Sequence, residues 1–285
     1  MTMSIALAAP GQMGSSLAAR LTGNGIEVVT LLEGRSAATI ARAEAAGMRG
    51  VLLEEFVSRD VIRAEVPPSV AEPLAAPAPP PPPPPRRTPI PGHCTPPPPA
   101  TTQRIAGMVE AAGMAFVDGS IIGLPARPDY AGPALFVSGP HAPKLSGLRE
   151  AGIDLRIMDG PVGAASALKM CYGGITKGLI ALGSIMILAA ERAGASQALR
   201  DELALSQPQL FASFSRSIPD MFTKAGRWVP EMEEIASFLG EGSADSAVYA
   251  DLAAFYSRLA RLEGASEIDD LRAFFATAPN PGKTV

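Results

Sequence analysis

The chain has 285 residues, a net charge of −4 and 47% hydrophobic residues, enough for one or two domains with a sizeable core. With no basic stripe it is not expected to bind nucleic acid. Two cysteines, Cys94 and Cys171, stand at neither disulfide nor zinc spacing and fit a reducing, cytoplasmic setting, while two histidines, His93 and His141, leave little material for a Ser–His–Asp hydrolase or a metal site.

The apolar start reads as a strand over residues 4–9 rather than as a signal peptide. Gly11, Gln12, Met13 and Gly14 make a turn, and residues 15–21 open a helix. Strand, glycine turn and helix form the dinucleotide-binding opening, in which glycines let the backbone approach a pyrophosphate at a helix N-terminus. The spacing is degenerate, since Ala9 stands at the first glycine position and only Gly11 and Gly14 keep the others; an ordinary strand-to-helix turn is the competing reading. A second strand is expected over 27–32. Its end meets the adenosine ribose in such a fold, and here it reads Glu33, Gly34, Arg35, Ser36. Arg35 and Ser36 suit a 2′-phosphate and favour NADP, with Glu33 as the counter-signal that keeps NAD open. Residues 37–46 are helical and end at Gly47.

Residues 51–66 should hold the third and fourth strands. Pro67, Pro68 and Ser69 then turn at the carboxyl end of a central strand, where a nicotinamide would lie. Residues 73–99 are anomalous: the seven prolines 79–85 suit neither helix interior nor central strand and favour polyproline II, just where a helix and a buried strand are due. The stretch reads as a proline-rich insertion, as a ligand for an SH3-like module, or as a local change of reading frame; the flanks resume the pattern with little change in length, which favours the last. A helix over 100–113, strands over 115–118, 134–138 and 155–158, and a helix over 144–151 complete an alternating α/β half with a parallel sheet.

From Pro161 onward strand signals stop. Residues 164–193 read as one long helix, apolar on nearly all sides and therefore buried between neighbours or at a subunit interface; the uncharged run 178–190 is too short to span a bilayer, and no membrane association is expected. Helices follow over 200–215, 230–240, 246–262 and 271–275. The expected architecture is an α/β Rossmann domain with a doubly wound parallel sheet (1–160) and an all-α domain (161–285). Lys169 stands early in the long helix. A buried ammonium is costly unless paired or shifted in pKa, and such a lysine can serve as general acid or base. Gly173, Thr176 and Lys177 follow on the same face. The competing reading places Lys169 and Lys177 on an exposed stripe.

The runs SIALAAPGQMGSSLA, VPPSVA, FVDGSIIG and GPVGAASALKMCYGGITKG, with RWVPEMEEIA further on, resemble the β-hydroxyacid dehydrogenase and 6-phosphogluconate dehydrogenase superfamily over nearly the whole chain except 73–99. The resemblance implies a Rossmann domain, a helical domain that forms a homodimer, and hydride transfer between NADP (or NAD) and a small 3-hydroxy acid. Lys169 matches the catalytic lysine, Gly11 to Gly14 the pyrophosphate loop, Arg35 and Ser36 the NADP signature, and Pro67 and Pro68 the nicotinamide-side loop. Thr95, Ser120, Gly173 and Thr176 are the candidate substrate-binding residues. Departures are plain. Tyr172 and Gly173 stand where the family commonly has asparagine, Thr176 where 6-phosphogluconate dehydrogenase has its acid, and Ile122 where the family has a substrate serine. They argue against decarboxylation of 6-phosphogluconate. An imine reductase on the same scaffold, or an inactive adaptor displaying the proline segment, are the alternatives. The proline segment, if it is native sequence, is expected to remove a strand beside the cofactor and so to leave the protein inactive.

Overall fold

The computed structural model describes residues 4–8, 10–59, 61–64, 90–93, 99–126, 130, 132–261 and 265–276, with backbone only at 61–64, 90–93 and 265. Pro67, Pro68, Thr95 and the prolines 79–85 lie outside them. The chain divides into two compact units, Met1–Lys169 and Met170–Val285.

In the first unit, β1 (Ser4–Leu7), α1 (Gln12–Gly23), β2 (Glu27–Thr30), α2 (Ala37–Ala45), β3 (Arg49–Gly50), the single-turn α3 (Leu53–Phe56) and β4 (Val61–Ala64) alternate as the sequence predicts. The third strand ends before residue 51, where the sequence reading starts it, and Leu53 already begins α3. β5 (Ile90–His93), α4 (Pro99–Ala111), β6 (Val117–Ile122), β7 (Ala134–Ser138) and β8 (Leu155–Ile157) complete an eight-stranded sheet of order β3-β2-β1-β4-β5-β6-β7-β8. The first six strands are the doubly wound order. Its core joins Ile5, Leu7 and Val28 to Leu17 and Leu21 of α1.

Three expectations are corrected. The strand thought lost to the proline segment is present: Ile90–His93 pairs in parallel with both β4 and β6, although Pro91 brings no N–H to the ladder. The sheet is not wholly parallel, because β7 runs antiparallel to β6. Among the described residues between them no helix crosses back over the sheet, and so short a connection returns a strand only in the opposite direction. The helix expected over 144–151 is a 3₁₀ segment, Ala142–Leu148.

The helix α5 (Ala164–Arg192) runs from the first unit into the second, which continues with α6 (Ser196–Ser206), α7 (Pro208–Met221), α8 (Ala225–Phe238), α9 (Ala244–Ala260) and α10 (Ala265–Ala276). The helix expected over 200–215 is two, because Pro208 drives Gln207 out of helical geometry (φ −133°, ψ 53°). By length and composition α5 is apolar enough to cross a membrane. Its glycines show the packing of a core helix. An added Cβ at Gly183 would lie 2.6 Å from the Phe214 ring, and one at Gly174 would lie 3.0 Å from the Tyr249 hydroxyl. The second core gathers Met170, Ala181, Ile187 and Leu188 of α5 with Phe214, Ile218, Trp228, Phe255 and Tyr256. The opposite side is not covered by other helices of the chain among the described residues. Tyr172, Ile175, Leu179, Leu182 and Met186 form an exposed stripe at alternating three- and four-residue spacing.

Gly183→Ala tests the packing against α7. Alanine adds about 1 kcal/mol of helix propensity, but overpacking a ring that is itself buried costs about 1–3 kcal/mol. A lower midpoint in thermal unfolding is expected; a higher one would show the ring yields freely.

Candidate active site

The β1–α1 turn is built to receive an anion. Gly11 caps α1 in extended geometry, no side chain caps the helix, and its first turn carries no acidic residue. The leading N–H groups at Gln12 and Met13 therefore keep their donors for a ligand. A Cβ at Gly11 would meet none of the described residues within 4 Å, and Gly14 is buried behind the turn. These residues fit the pyrophosphate of a dinucleotide. Ser15 Oγ steadies the turn by donating to the Pro10 carbonyl (3.2 Å).

Two arginines reach the same turn from the second strand–helix unit. Arg35 Nη2 donates to the Ala8 carbonyl (3.2 Å) and Arg42 Nη1 to the Pro10 carbonyl (3.0 Å). Ser36 is the N-cap of α2: its Oγ accepts from the Thr39 N–H (3.3 Å) and lies 3.0 Å from Thr39 Oγ1. Glu33 is exposed in the turn before Arg35. Arg42 went unread in the sequence, where it is one arginine in an alanine-rich helix; only its return to Pro10 distinguishes it.

The start of α5 is held by a buried carboxylate. Asp118, fully buried on β6, accepts at Oδ2 from the N–H groups of Gly163 (3.0 Å) and Ser166 (2.9 Å) and from Ser138 Oγ (3.2 Å), and at Oδ1 from Ser166 Oγ (2.6 Å). Ser138 Oγ in turn accepts the Ala165 N–H (3.0 Å). Thr102 Oγ1 lies 3.1 Å from Ser166 Oγ. This is a cap supplied by another element, with the negative charge at the positive end of the helix dipole. The sequence signal was a carboxylate inside the apolar run FVDGSII, which demands partners when buried.

Lys169 lies in the second turn of α5, and it is half-buried. The desolvation supposed for a fully buried lysine is therefore partial. Of the two glycines after it, Gly174 admits Tyr249, whereas a Cβ at Gly173 would meet only Lys177 Nζ, at 3.8 Å. Thr176 spends its hydroxyl proton on the Tyr172 carbonyl (2.8 Å). Lys177 is ion-paired with Glu231 of α8 and sits 5.7 Å over the Trp228 ring. Tyr256 donates to the Lys177 carbonyl (2.6 Å), and burial pushes its phenol pKa well up, so it stays protonated. Ser120 is not brought to an open surface. It is fully buried on β6, and its Oγ has no hydrogen-bond partner among the described residues. Pro67, Pro68 and Thr95 lie outside the described residues.

Residues 190–259 match the model of a domain of unknown function, DUF1932. No curated protein matches the chain. Among solved structures, the chain is similar to a conserved protein of unknown function described as structurally similar to 3-hydroxyacid dehydrogenases, with 28% identity over 92% of this chain and 100% of that one and a TM-score of 0.74. Mycobacterium tuberculosis 3-hydroxyisobutyrate dehydrogenase, solved with L-serine, shares the fold at 20% identity over 95% and 100% of the two chains, TM-score 0.68. An imine reductase from Myxococcus stipitatus in complex with NAD+ shares it at 17% identity over 96% and 99%, TM-score 0.60.

Asp118→Asn tests the cap. An amide nitrogen at the Oδ2 position would face three donors, and leaving them unanswered in a buried site costs about 3 kcal/mol. Chemical denaturation should show that loss; an unchanged midpoint would mean the network is dispensable.

Proposed function

We propose that this chain, a member of the β-hydroxyacid dehydrogenase-like superfamily, is an NADP-dependent oxidoreductase acting on a small 3-hydroxy acid-like substrate, with Lys169 as general acid/base. The observation that carries the reading is the open, uncapped β1–α1 turn, flanked by Arg35, Ser36 and Arg42, at the centre of a doubly wound sheet. The bound nicotinamide supplies the hydride acceptor in oxidation and the hydride donor in reduction. The chain's own part is to bind the diphosphate on the α1 N–H groups and to move a proton. Lys169 takes the proton from the substrate hydroxyl oxygen in oxidation and returns it in reduction. The Asp118 cap holds the first turns of α5, on which Lys169 stands. Cys171 is a free, exposed thiol, in keeping with the proposed reducing, cytoplasmic setting.

Imine reduction is the second reading. The absence of asparagine at Gly173 and the burial of Ser120 remove two polar groups that a carboxylate substrate would use, and an imine reductase is among the structures sharing the fold. Turnover of cyclic imines but not of 3-hydroxy acids with NADPH would select it. In either reaction Lys169→Ala should lower kcat about a hundredfold or more while calorimetry shows unchanged NADPH affinity; undiminished turnover would overturn the assignment.

We also propose a homodimer through the helical unit, supported by the exposed stripe from Tyr172 to Met186. A stripe of this kind marks an interaction surface. Sedimentation should give a dimer for the native chain and a shift to monomer for Ile175→Asp; a native monomer would overturn this.

A further inference from the structure

We infer that Arg42 is a second specificity-determining residue for the cofactor: with Arg35 it forms a two-guanidinium clamp on the 2′-phosphate that separates NADP from NAD. The inference rests on the proposed nicotinamide function. Arg35 and Arg42 hydrogen-bond to the carbonyls of Ala8 and Pro10, two residues apart and so at most about 7 Å from one another. The two guanidiniums are therefore tethered to one short stretch of backbone. Each uses one N–H there and has five donors in all, so each keeps N–H groups for a ligand. Neither is ion-paired among the described residues, and α2 carries no acidic residue in its first turn. Two cations without an ion-pair partner among the described residues are thus anchored just past the end of β1, beside its parallel neighbour β2, whose own end leads to Ser36, Thr39 and the N-terminus of α2 and is where a doubly wound fold brings the adenosine ribose. A 2′-phosphate carries close to two negative charges, which one arginine does not balance. The two arginines differ in exposure: Arg35 is exposed and Arg42 half-buried. Arg42 is thus the more pre-ordered donor and loses less freedom on binding.

A merely structural Arg42 would prop the Pro10 carbonyl and so support the pyrophosphate turn, which NADP and NAD share. Calorimetry on the full chain separates the roles, with 2′,5′-ADP, 5′-AMP, NADPH and NADH as probes and Arg42→Ala, Arg42→Gln and Arg42→Lys as variants. Glutamine keeps a donor for Pro10 without the charge, and lysine keeps the charge without the fork. If Arg42→Ala does not fold, the glutamine and lysine variants carry the test. Arg42→Gln should weaken 2′,5′-ADP and NADPH about tenfold or more and weaken 5′-AMP and NADH far less, with Arg42→Lys between it and the native chain; Arg42→Ala, which also frees the Pro10 carbonyl, should weaken all four nucleotides but the 2′-phosphorylated pair about tenfold more. Equal weakening of phosphorylated and unphosphorylated nucleotides, or no weakening, would overturn the clamp. A native chain that binds NADH as tightly as NADPH would overturn it too while leaving the oxidoreductase reading intact. Failure of all four nucleotides to bind the folded native chain would overturn the oxidoreductase reading and the clamp with it.

Discussion

A single buried carboxylate sets where the long helix begins. Asp118 sits mid-strand, out of water, and answers two backbone N–H groups and two hydroxyls. Each charge-assisted bond contributes more than a neutral one, but the stronger constraint is negative: none of these donors has water to fall back on, so the arrangement is satisfied as a whole or not at all. Ser138 extends the same network to Ala165, and Thr102 ties α4 into it. Four elements thereby agree on the position of residues 163–166, and Lys169 follows one turn later.

Further along α5 the glycines do unlike jobs. Gly174 and Gly183 are small because Tyr249 and Phe214 lie against them; they let the helical core close. Gly173 is different: among the described residues only the Lys177 ammonium stands within 4 Å of where its side chain would be. Lys177 itself is occupied by Glu231 and Trp228. The helix pattern is the same for a glycine that admits a ring and for one that does not.

The proline-rich stretch shows how topology tolerates poor local chemistry. Ile90–His93 takes its place between β4 and β6 with a proline in it. A central strand with one missing donor still has two neighbours to hold it, whereas an absent strand would leave both edges unpaired. The frame of the doubly wound sheet is therefore complete around the β1–α1 turn.

The sequence by itself determined what is local. The glycine turn at residues 11–14, the alternation of strands and helices, the switch to helix after Pro161 and the placing of Lys169 in one long helix all follow from neighbouring residues, through glycine geometry and hydrophobic period. Only the tertiary structure decided what depends on distant partners. Arg42 meets a carbonyl 32 residues away, and Asp118 meets an N–H 48 residues away; no periodicity encodes either meeting. The reversal of β7 goes with a connection of only eleven residues, and the exposed stripe of α5 came from which of its apolar faces the other helices cover. Apolarity says that a face prefers to be buried, and only the packed chain says which faces found a partner.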